Sequence, residues 1–255
     1  MPDDFVNAMG EPTNAVYGFT GFLCNLLEQT ASEHVAVAFD VSLSTGFRNE
    51  IYPEYKANRD PAPEELKRQF GWARSVAEAM GLPCYADPRY EADDLIGTLA
   101  TYWSERQHPV CVVTADKDLA QLVGDRDHWW DFSRNRKLNA GQLHEKCGVR
   151  PRQMADYLAL TGDSVDNIPG IPGVGPKTAS LLLGHFGDLD SIYERLDEVP
   201  ALKIRGAKSL HKKLSDHRGA AELARQLTVI DTGVESALAS PELTRSETDT
   251  AALNR

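Results

Sequence analysis

Residues 162–179 read GDSVDNIPGIPGVGPKTA, and this stretch carries the two features around which the rest of the chain is organised. The first is a pair of carboxylates, Asp163 and Asp166, placed three residues apart among small and turn-forming residues. The second is a glycine-rich turn that leads directly into a segment with helical spacing of its apolar residues, Ala179, Leu182, Leu183 and Phe186. The stretch therefore predicts a turn followed by a helix, with two acids at the entrance.

The glycine-rich turn favours binding of a phosphate group. Gly173 and Gly175 allow the backbone to approach a ligand closely, and Pro176 suits the first position of a helix. Main-chain N–H groups at the start of that helix would lie at its positive end, and Lys177 adds a charge beside them. The alternative is an ordinary helix–turn–helix corner in which the two acids are plain loop residues.

Composition places the chain among ordinary globular proteins. Of its 255 residues, 42% are hydrophobic and 25% are charged, and the length allows one larger and one smaller domain. No apolar run approaches the roughly 18 residues needed to span a membrane, and the acidic N-terminus is unlike a signal peptide. The four cysteines are scattered without a C-x-x-C pair, which favours reduced thiols in the cytoplasm. We expect a monomeric cytoplasmic protein with no membrane partner.

The net charge of −11 does not exclude a nucleic-acid partner, because the distribution of charge matters more than its sum. Residues 203–213 contain basic residues and no acid, namely Lys203, Arg205, Lys208, Lys212 and Lys213. A second basic group lies among acids in residues 48–68. Cations bound to interior acids would neutralise more of the negative charge, so the balance is compatible with DNA without requiring it.

Alternating helices and apolar strands predict an α/β domain with a mostly parallel sheet flanked by helices. Helical periodicity occurs in residues 13–27, 64–80 and 91–103. Short apolar runs typical of buried strands occur in residues 34–40, 83–86 and 109–114.

The pattern divides the chain into three parts. Residues 1–149 are predicted to form the α/β domain, and residues 150–235 a smaller all-helical domain. Residues 236–255 are polar and rich in small residues, so we expect a loosely ordered tail. Residues 46–63 are polar and proline-rich, which predicts an exposed loop leading into the helix that starts near residue 64.

Acidic residues follow the predicted strands and begin a predicted helix, at Asp40, Glu91, Asp93, Asp94, Asp116 and Asp118. Because ligands bind at the carboxyl ends of parallel strands, these acids are expected to converge, and Asp163 and Asp166 would join them if the glycine turn packs at that edge. Clustered carboxylates repel one another unless cations neutralise them. Mg²⁺, or Mn²⁺ in its place, is favoured because it accepts oxygen ligands, waters and a phosphate. Two such ions about 3.5–4 Å apart would support phosphodiester cleavage.

Each group of acids also has a plainer explanation. The three acids at the helix start would favour the helix dipole by about 0.3–1 kcal/mol each. Asp116 and Asp118 would form a turn, and Asp40 would cap a helix. The metal interpretation is favoured because every one of these acids is predicted at the same end of the sheet.

Five motifs occur in order along the chain: FD at 39–40, YKANR at 55–59, EADD at 91–94, TADKD at 114–118, and the stretch at 162–179. As an ordered set spanning about residues 10–235, they resemble bacterial 5′ nucleases, which include the 5′-nuclease domain of DNA polymerase I and free-standing flap endonucleases. The resemblance implies a PIN-like nuclease domain and Mg²⁺-dependent hydrolysis of DNA near a 5′ end or a 5′ flap. It also implies a helix-hairpin-helix-type motif that grips duplex DNA, often with bound K⁺. A free-standing nuclease is the closer match, since no polymerase portion follows residue 255.

The resemblance also implies roles for the acidic residues. Four of them look like ligands of a first metal cluster: Asp40, Glu91, Asp93 and Asp116. Asp94 looks like one of those same ligands or a bridge between them. The remaining three look like ligands of a second cluster: Asp118, Asp163 and Asp166.

By the same resemblance, Lys56 and Arg48 approach the scissile phosphate and Tyr55 stacks on a base, within an arch at about residues 46–80. A plain solvated loop is the alternative for Arg48. Duplex contacts are implied for the glycine turn and the basic segment, at Gly170, Gly173, Gly175, Lys177, Lys203, Arg205 and Lys208. Main-chain groups that would hold K⁺ belong to Ile171, Pro172 and Val174.

The N-terminus departs from the family pattern, which begins with an apolar strand ending in Asp-Gly whose Asp ligates the first metal. This sequence starts beyond that point, so we expect a start placed too far downstream or a truncated chain. The alternative is a genuine short form that binds flaps and cleaves weakly. Two other classes remain open. A metal-dependent phosphatase would use Asp40 and Asp116 without needing the glycine turn, and a non-catalytic DNA-junction binder would keep that turn.

Overall fold

The structure is a computed structural model that describes residues 5–41, 45–204 and 206–253. The helices up to residue 161 are α1 (Asn14–Thr30), α2 (Phe47–Ile51), α3 (Glu64–Ala79), α4 (Ala92–Glu105), α5 (Ala140–Cys147) and α6 (Met154–Thr161). The later helices are α7 (Pro176–Phe186), α8 (Leu189–Glu194), α9 (Ala207–Asp216), α10 (Arg218–Thr228), α11 (Glu235–Leu238) and α12 (Thr250–Leu253). The strands are β1 (Val37–Asp40), β2 (Cys84–Asp87), β3 (Cys111–Val113), β4 (His128–Asp131) and β5 (Arg136–Leu138). Short 3₁₀ helices span Asp118–Leu122, Pro151–Gln153 and Leu196–Ala201.

One compact unit comprises the described residues within 1–42, 60–95 and 234–255. Leu23 and Leu27 recur on one face of α1 and are buried against Ala77 of α3, which is why this amphipathic helix forms here. Strands β1 and β2 pair in parallel, with Asp40 opposite Asp87 at their ends. The carboxyl ends of both strands therefore lie side by side.

A second compact unit comprises the described residues within 43–59 and 96–233. Its sheet has the order β3–β4–β5, with β3 and β4 parallel and β4 and β5 antiparallel. One apolar core extends from Trp129 of β4 through Leu158 of α6 and Leu182 of α7 to Leu214 of α9. Because sheet and helices share this core, the end of β3 and the turn before α7 are held in one unit.

The predicted α/β fold with mostly parallel strands and a helical later part is confirmed. The predicted helices and strands appear as α1, α3, α4, β1, β2 and β3, with their ends shifted by a few residues. The β4–β5 hairpin was not predicted, because Asp131 interrupts the apolar pattern. That carboxylate is buried, and the hairpin satisfies it with Arg134 and Arg136 at 3.0 and 3.2 Å. No described helix is long and apolar enough to cross a membrane.

The expectation of a loosely ordered tail is wrong for residues 236–253. Ala237 is fully buried in α11, and the hydroxyl of Tyr85 donates to the carbonyls of Ser240 and Glu242 at 2.7 and 2.8 Å. Residues between 243 and 249 also form main-chain hydrogen bonds with other parts of the first unit, for example from the Ser246 N–H to the carbonyl of Gly81. Composition did not reveal this docking because main-chain atoms make most of the bonds. The two compact units divide the chain differently from the boundaries predicted at residues 149 and 235, which stay predictions.

The expectation of an exposed loop at 46–63 is wrong for its first half, which contains α2. Arg48 is only 3% exposed, and its guanidinium donates to the carbonyls of Leu227 and Val229 at 2.8 and 3.0 Å. These carbonyls lie at the C-terminal end of α10, where helical carbonyls lack partners within the helix. Tyr55 is also buried, in the core of the second unit. A phosphate contact by Arg48 or base stacking by Tyr55 would each require this segment to move.

Candidate active site

The loop after β3 carries Asp116 and Asp118, and two side chains fix its backbone. The indole Nε1 of Trp129, a residue only 1% exposed, donates to the carbonyl of Asp116 at 2.7 Å. The side-chain amide of Gln121 donates to the carbonyl of Asp118 at 3.0 Å. Within the loop, the Asp118 N–H donates to Asp116 Oδ1 at 2.9 Å, which forms a tight acid-rich turn. The predicted turn is therefore present, and it holds both acids at the end of strand β3.

Asp163 and Asp166 lie on a tight loop between α6 and the glycine-rich turn. Asp163 and Ile168 exchange two main-chain hydrogen bonds of 2.9 and 2.7 Å, and Asp163 Oδ1 accepts the Val165 N–H at 2.7 Å. The base of the loop needs Gly170, because a Cβ there would lie 2.3 Å from the carbonyl carbon at position 161. The glycine thus permits the chain crossing that positions both acids.

One pocket of about 320 Å³ in the second unit brings the two acid loops together. Its lining includes four acids and two cations, namely Asp116, Asp118, Asp163, Asp166, Arg59 and Lys117. The resemblance assigned Asp116 to one cluster and the other three acids to another. The structure places all four around the same pocket.

Asp118 is an incompletely compensated carboxylate of this pocket. Burial, followed by the negative charge of Asp116, raises its pKa to about 7. Its Oδ1 atom is buried and has no hydrogen-bond partner in the part of the chain that is described. Lys117 Nζ lies 3.8 Å away from this oxygen, beyond hydrogen-bond reach. A buried carboxylate oxygen of this kind fits a hard divalent cation, which prefers such a ligand.

Side-chain cations pair with Asp163 and Asp166. Lys117 Nζ lies 3.2 Å from Asp163 Oδ2. Burial lowers the pKa of Lys117, but the charges of Asp118 and Asp163 outweigh it, so the pKa is raised. Asp166 pairs with Arg59 and, at 3.8 Å, with Lys56. Across residues 5–41, 45–204 and 206–253, no group of three or more histidine, cysteine, aspartate or glutamate side chains is already arranged to hold a metal ion.

The YKANR residues pack directly on the acid loop. The main-chain N–H of Lys56 donates to the carbonyl of Asp166 at 3.0 Å, and the Asn58 amide donates to the carbonyl of Ser164 at 2.9 Å. The Tyr55 hydroxyl approaches the Asp166 carboxylate at 3.4 Å. Arg59 belongs to this motif but was not predicted as a site residue. Its position one turn after Lys56 was the available signal.

The other four predicted acids lie at the end of β1 and at the start of α4, in the first unit. Asp40 Oδ1 accepts the Ala92 N–H at 2.7 Å, and Asp94 Oδ2 accepts the Glu91 N–H at 3.1 Å. Asp94 is fully buried, and Asp93 shares the first turn of the helix. The structure thus joins the end of β1 to the start of α4, where these acids also have the helix-capping role that was the plainer alternative. Their metal-binding role stays a prediction.

The glycine-rich turn forms as predicted, with Gly175 capping α7 and Pro176 at its first position. Gly173 has a φ of 79°, and a Cβ there would lie 2.4 Å from Lys213 Nζ. Lys213 belongs to the predicted basic segment but was not among the residues chosen for DNA contacts. The chosen residues Lys177, Lys203 and Lys208 are exposed, whereas Arg205 lies outside the described residues.

Two family matches together cover most of the chain. Residues 1–148 match the family described as 5′-3′ exonuclease, N-terminal resolvase-like domain. Residues 149–251 match the family described as 5′-3′ exonuclease, C-terminal SAM fold.

Two curated relatives and one solved structure add to these matches. A protein named 5′-3′ exonuclease from Buchnera aphidicola is 37% identical over 230 residues, covering 90% of this chain and 76% of the relative. DNA polymerase I of Pseudomonas aeruginosa is 45% identical over 227 residues, covering 89% of this chain but only 25% of the relative, so the chain spans about a quarter of that protein. The flap endonuclease D15 of bacteriophage T5, in a pseudo-enzyme-product complex with DNA and metal ions, has a TM-score of 0.66 at 23% identity. The match covers 88% of this chain and 83% of that one, and it shows a shared fold.

Proposed function

The chain belongs to the 5′-3′ exonuclease family, and from that premise we propose that it hydrolyses DNA phosphodiester bonds near a 5′ end or a 5′ flap. The observation that carries this proposal is the pocket in which Asp116, Asp118, Asp163 and Asp166 meet beside the cationic YKANR residues. Such a pocket offers acids to a divalent cation and positive charge to a phosphate at the same place.

Within the proposal, the four pocket acids hold a divalent cation, with Mg²⁺ preferred and Mn²⁺ able to replace it. The buried, unpartnered oxygen of Asp118 supports this assignment. Asp40, Glu91, Asp93 and Asp94 are proposed as further ligands at the start of α4. When bound, Mg²⁺ supplies an activated water and stabilises the negative charge of the leaving oxygen.

The side chains of Lys56 and Arg59 are proposed to face the scissile phosphate. Both already pair with a pocket carboxylate, so their charges lie at the edge of the site. Fixed positive charge there stabilises the oxygens of the phosphate as negative charge develops. Arg48 is assigned to holding α2 against the end of α10, in keeping with its buried hydrogen bonds.

Duplex DNA is proposed to bind at the glycine-rich turn and the exposed lysines near it. The start of α7 offers main-chain N–H groups to a backbone phosphate, and Gly173 and Gly175 allow close approach beside Gly170 and Lys177. Lys203, Lys208 and, in the same basic segment, Arg205 would extend this contact. The carbonyls of Ile171, Pro172 and Val174 are the proposed ligands of a K⁺ ion in a helix-hairpin-helix motif.

We also propose that the protein is a monomer, that it acts in the cytoplasm and that it has no membrane partner. All four cysteines are unpaired, which is the usual state of thiols in a reducing compartment.

A 5′-labelled flap duplex tests the proposed activity. We expect cleavage near the flap junction with Mg²⁺ and none with EDTA. Cleavage of a small phosphoester but not of DNA would instead indicate a phosphatase. Flap binding without divalent-dependent cleavage would indicate a junction-binding protein. A linear 5′-labelled duplex, run in parallel, separates exonuclease from flap preference.

A further inference from the structure

Asp166 is the pocket acid that the chain itself neutralises most completely. The guanidinium of Arg59 pairs with its Oδ1 atom, and Lys56 Nζ lies 3.8 Å from its Oδ2 atom. The Tyr55 hydroxyl approaches the same Oδ2 atom at 3.4 Å. Each of these partners competes with a divalent cation for the oxygens of this carboxylate.

The partners of Asp166 come from one short segment that is fastened to the acid loop. The Asn167 amide donates to the carbonyl of Glu54 at 2.6 Å, and the Asn58 amide donates to the carbonyl of Ser164 at 2.9 Å. These bonds set the position of the segment independently of the ion pair. Arg59 therefore has a fixed base from which its long side chain reaches Asp166.

Arg59 differs from Lys56 in its access to solvent. The side chain of Arg59 is 36% exposed, whereas that of Lys56 is 8% exposed. A guanidinium binds phosphate oxygens through two parallel hydrogen bonds, as it does a carboxylate. An arriving phosphate can therefore compete with Asp166 for Arg59 without dismantling the segment.

The positive charges of Arg59 and of a divalent cation repel each other at Asp166. A guanidinium on Asp166 repels a divalent cation that approaches the same carboxylate, and the low polarity of a half-buried site strengthens that repulsion. When the guanidinium binds a phosphate instead, this repulsion ends. The negative charge of Asp166 is then no longer compensated by Arg59 and attracts a cation in the pocket.

We propose that Arg59 is a counter-ion latch on Asp166, through which an arriving DNA phosphate makes the carboxylate pocket competent to bind a divalent cation. The inference rests on the proposed function, since it concerns the metal site assigned there. It makes Arg59 a positioning residue that links substrate binding to metal binding. Because such coupling is reciprocal, the cation raises DNA affinity by the same factor as DNA raises cation affinity.

Binding of Mn²⁺, followed by the electron paramagnetic resonance signal of the free ion, tests the latch without relying on cleavage. We expect Arg59→Gln to bind Mn²⁺ about tenfold more tightly than the wild type in the absence of DNA. A phosphorothioate-linked flap duplex, chosen because it resists cleavage, should tighten Mn²⁺ binding about tenfold in the wild type and by less than about twofold in Arg59→Gln. Arg59→Lys keeps the charge, so it should bind Mn²⁺ in the absence of DNA as the wild type does.

Two matched variants control for the loss of an interaction and the loss of a charge. Asn58→Ala removes one hydrogen bond between the same segment and the same loop. Arg218→Gln removes an arginine–carboxylate pair that lies outside the pocket lining, with Glu222 at 2.7 Å. Both should bind Mn²⁺ within about twofold of the wild type.

Equal Mn²⁺ affinity of Arg59→Gln and the wild type without DNA would overturn the latch. If Arg59→Gln does not fold, the wild type decides alone, because an affinity for Mn²⁺ that the flap duplex leaves unchanged overturns it as well. Failure of the proposed function gives a different result. In that case Asp163→Asn combined with Asp166→Asn would bind Mn²⁺ as the wild type does.

Discussion

The acids of the two compact units are held in different ways. In the first unit, Asp40 and Asp94 accept main-chain N–H groups at the start of α4, so their hydrogen bonds are part of the fold. In the second unit, Asp163 Oδ1 also accepts a main-chain N–H, but Asp163 Oδ2 and the Asp166 carboxylate face the charged ends of Lys117 and Arg59. A side-chain cation can be exchanged for another cation at little structural cost, whereas a main-chain N–H cannot leave. The pocket of the second unit is therefore the place where ligand exchange is easiest.

The largest effect is expected when one acid of the pocket itself is neutralised. Asp116→Asn should lower kcat for flap cleavage by about a hundredfold or more, because a neutral amide no longer attracts a divalent cation. The dissociation constant for the flap duplex should change little, since the duplex is expected to bind at the glycine-rich turn. Single-turnover cleavage and fluorescence anisotropy measure the two quantities.

Asp125→Asn is the matched control for that experiment, because it changes an exposed acid of the same unit outside the pocket. It should cleave like the wild type. Full activity of Asp116→Asn would remove the pocket from the mechanism.

The next effect concerns the stability of the metal-free protein. The folded chain keeps the Asp118 proton up to about pH 7, whereas an ordinary aspartate in the unfolded chain releases it near 3.8. The wild type therefore loses stability as the pH rises through that interval, and Asp118→Asn does not. We expect Asp118→Asn to exceed the wild type in free energy of unfolding by about 1–3 kcal/mol at pH 8, and by less at pH 5.

Urea unfolding in EDTA at the two pH values gives this comparison. The prediction is contradicted if the difference in unfolding free energy between the two proteins is the same at pH 5 and pH 8. It is also contradicted if the variant is less stable than the wild type at pH 8. Mg²⁺ added at pH 8 should narrow the gap, because it stabilises the wild type preferentially.

A smaller effect is expected when the hydrogen bond that fixes the backbone of the acid loop is removed. Trp129→Phe keeps an aromatic ring in the core but removes the N–H that holds the carbonyl of Asp116. We expect a loss of about 1–2 kcal/mol in unfolding free energy and roughly a tenfold loss in kcat, with KM nearly unchanged.

Trp130→Phe is the control next to it in β4. The indole N–H of Trp130 makes no hydrogen bond to any described residue, so its removal should leave kcat unchanged. A uniform loss of activity in both variants would show that ring packing, and not the hydrogen bond, supports the site.

The smallest effect lies outside the pocket, at the start of α7. Lys177→Ala should weaken duplex binding several-fold and reduce the slope of log K against log salt by about one. Gly175→Ala should fold normally, because a Cβ there meets nothing within 4 Å, and any loss of affinity would then report crowding of the DNA. Binding titrations at several salt concentrations separate these cases, and an unchanged slope for Lys177→Ala would exclude a phosphate contact.

Sequence patterns were sufficient to place the acids near the strand and helix ends that carry them. Asp116 follows β3 and Asp163 precedes the glycine-rich turn, and both positions depend on local periodicity and turn chemistry, which the sequence records directly. The burial of Arg48 was not predicted, because its acceptors at residues 227 and 229 lie far along the chain. The pairing of Arg59 with Asp166 escaped prediction for the same reason, since only tertiary packing brings the YKANR residues onto the acid loop.

The docking of residues 243–249 has a consequence for protein synthesis. These residues complete main-chain hydrogen bonding in the first unit, where Val35 donates to the carbonyl of Leu243 and Asp249 donates to that of Ala79. The second unit contains no residue beyond 233. During translation, every residue of the unit that holds the pocket is therefore made before the segment that secures strands β1 and β2, although those strands are made earlier.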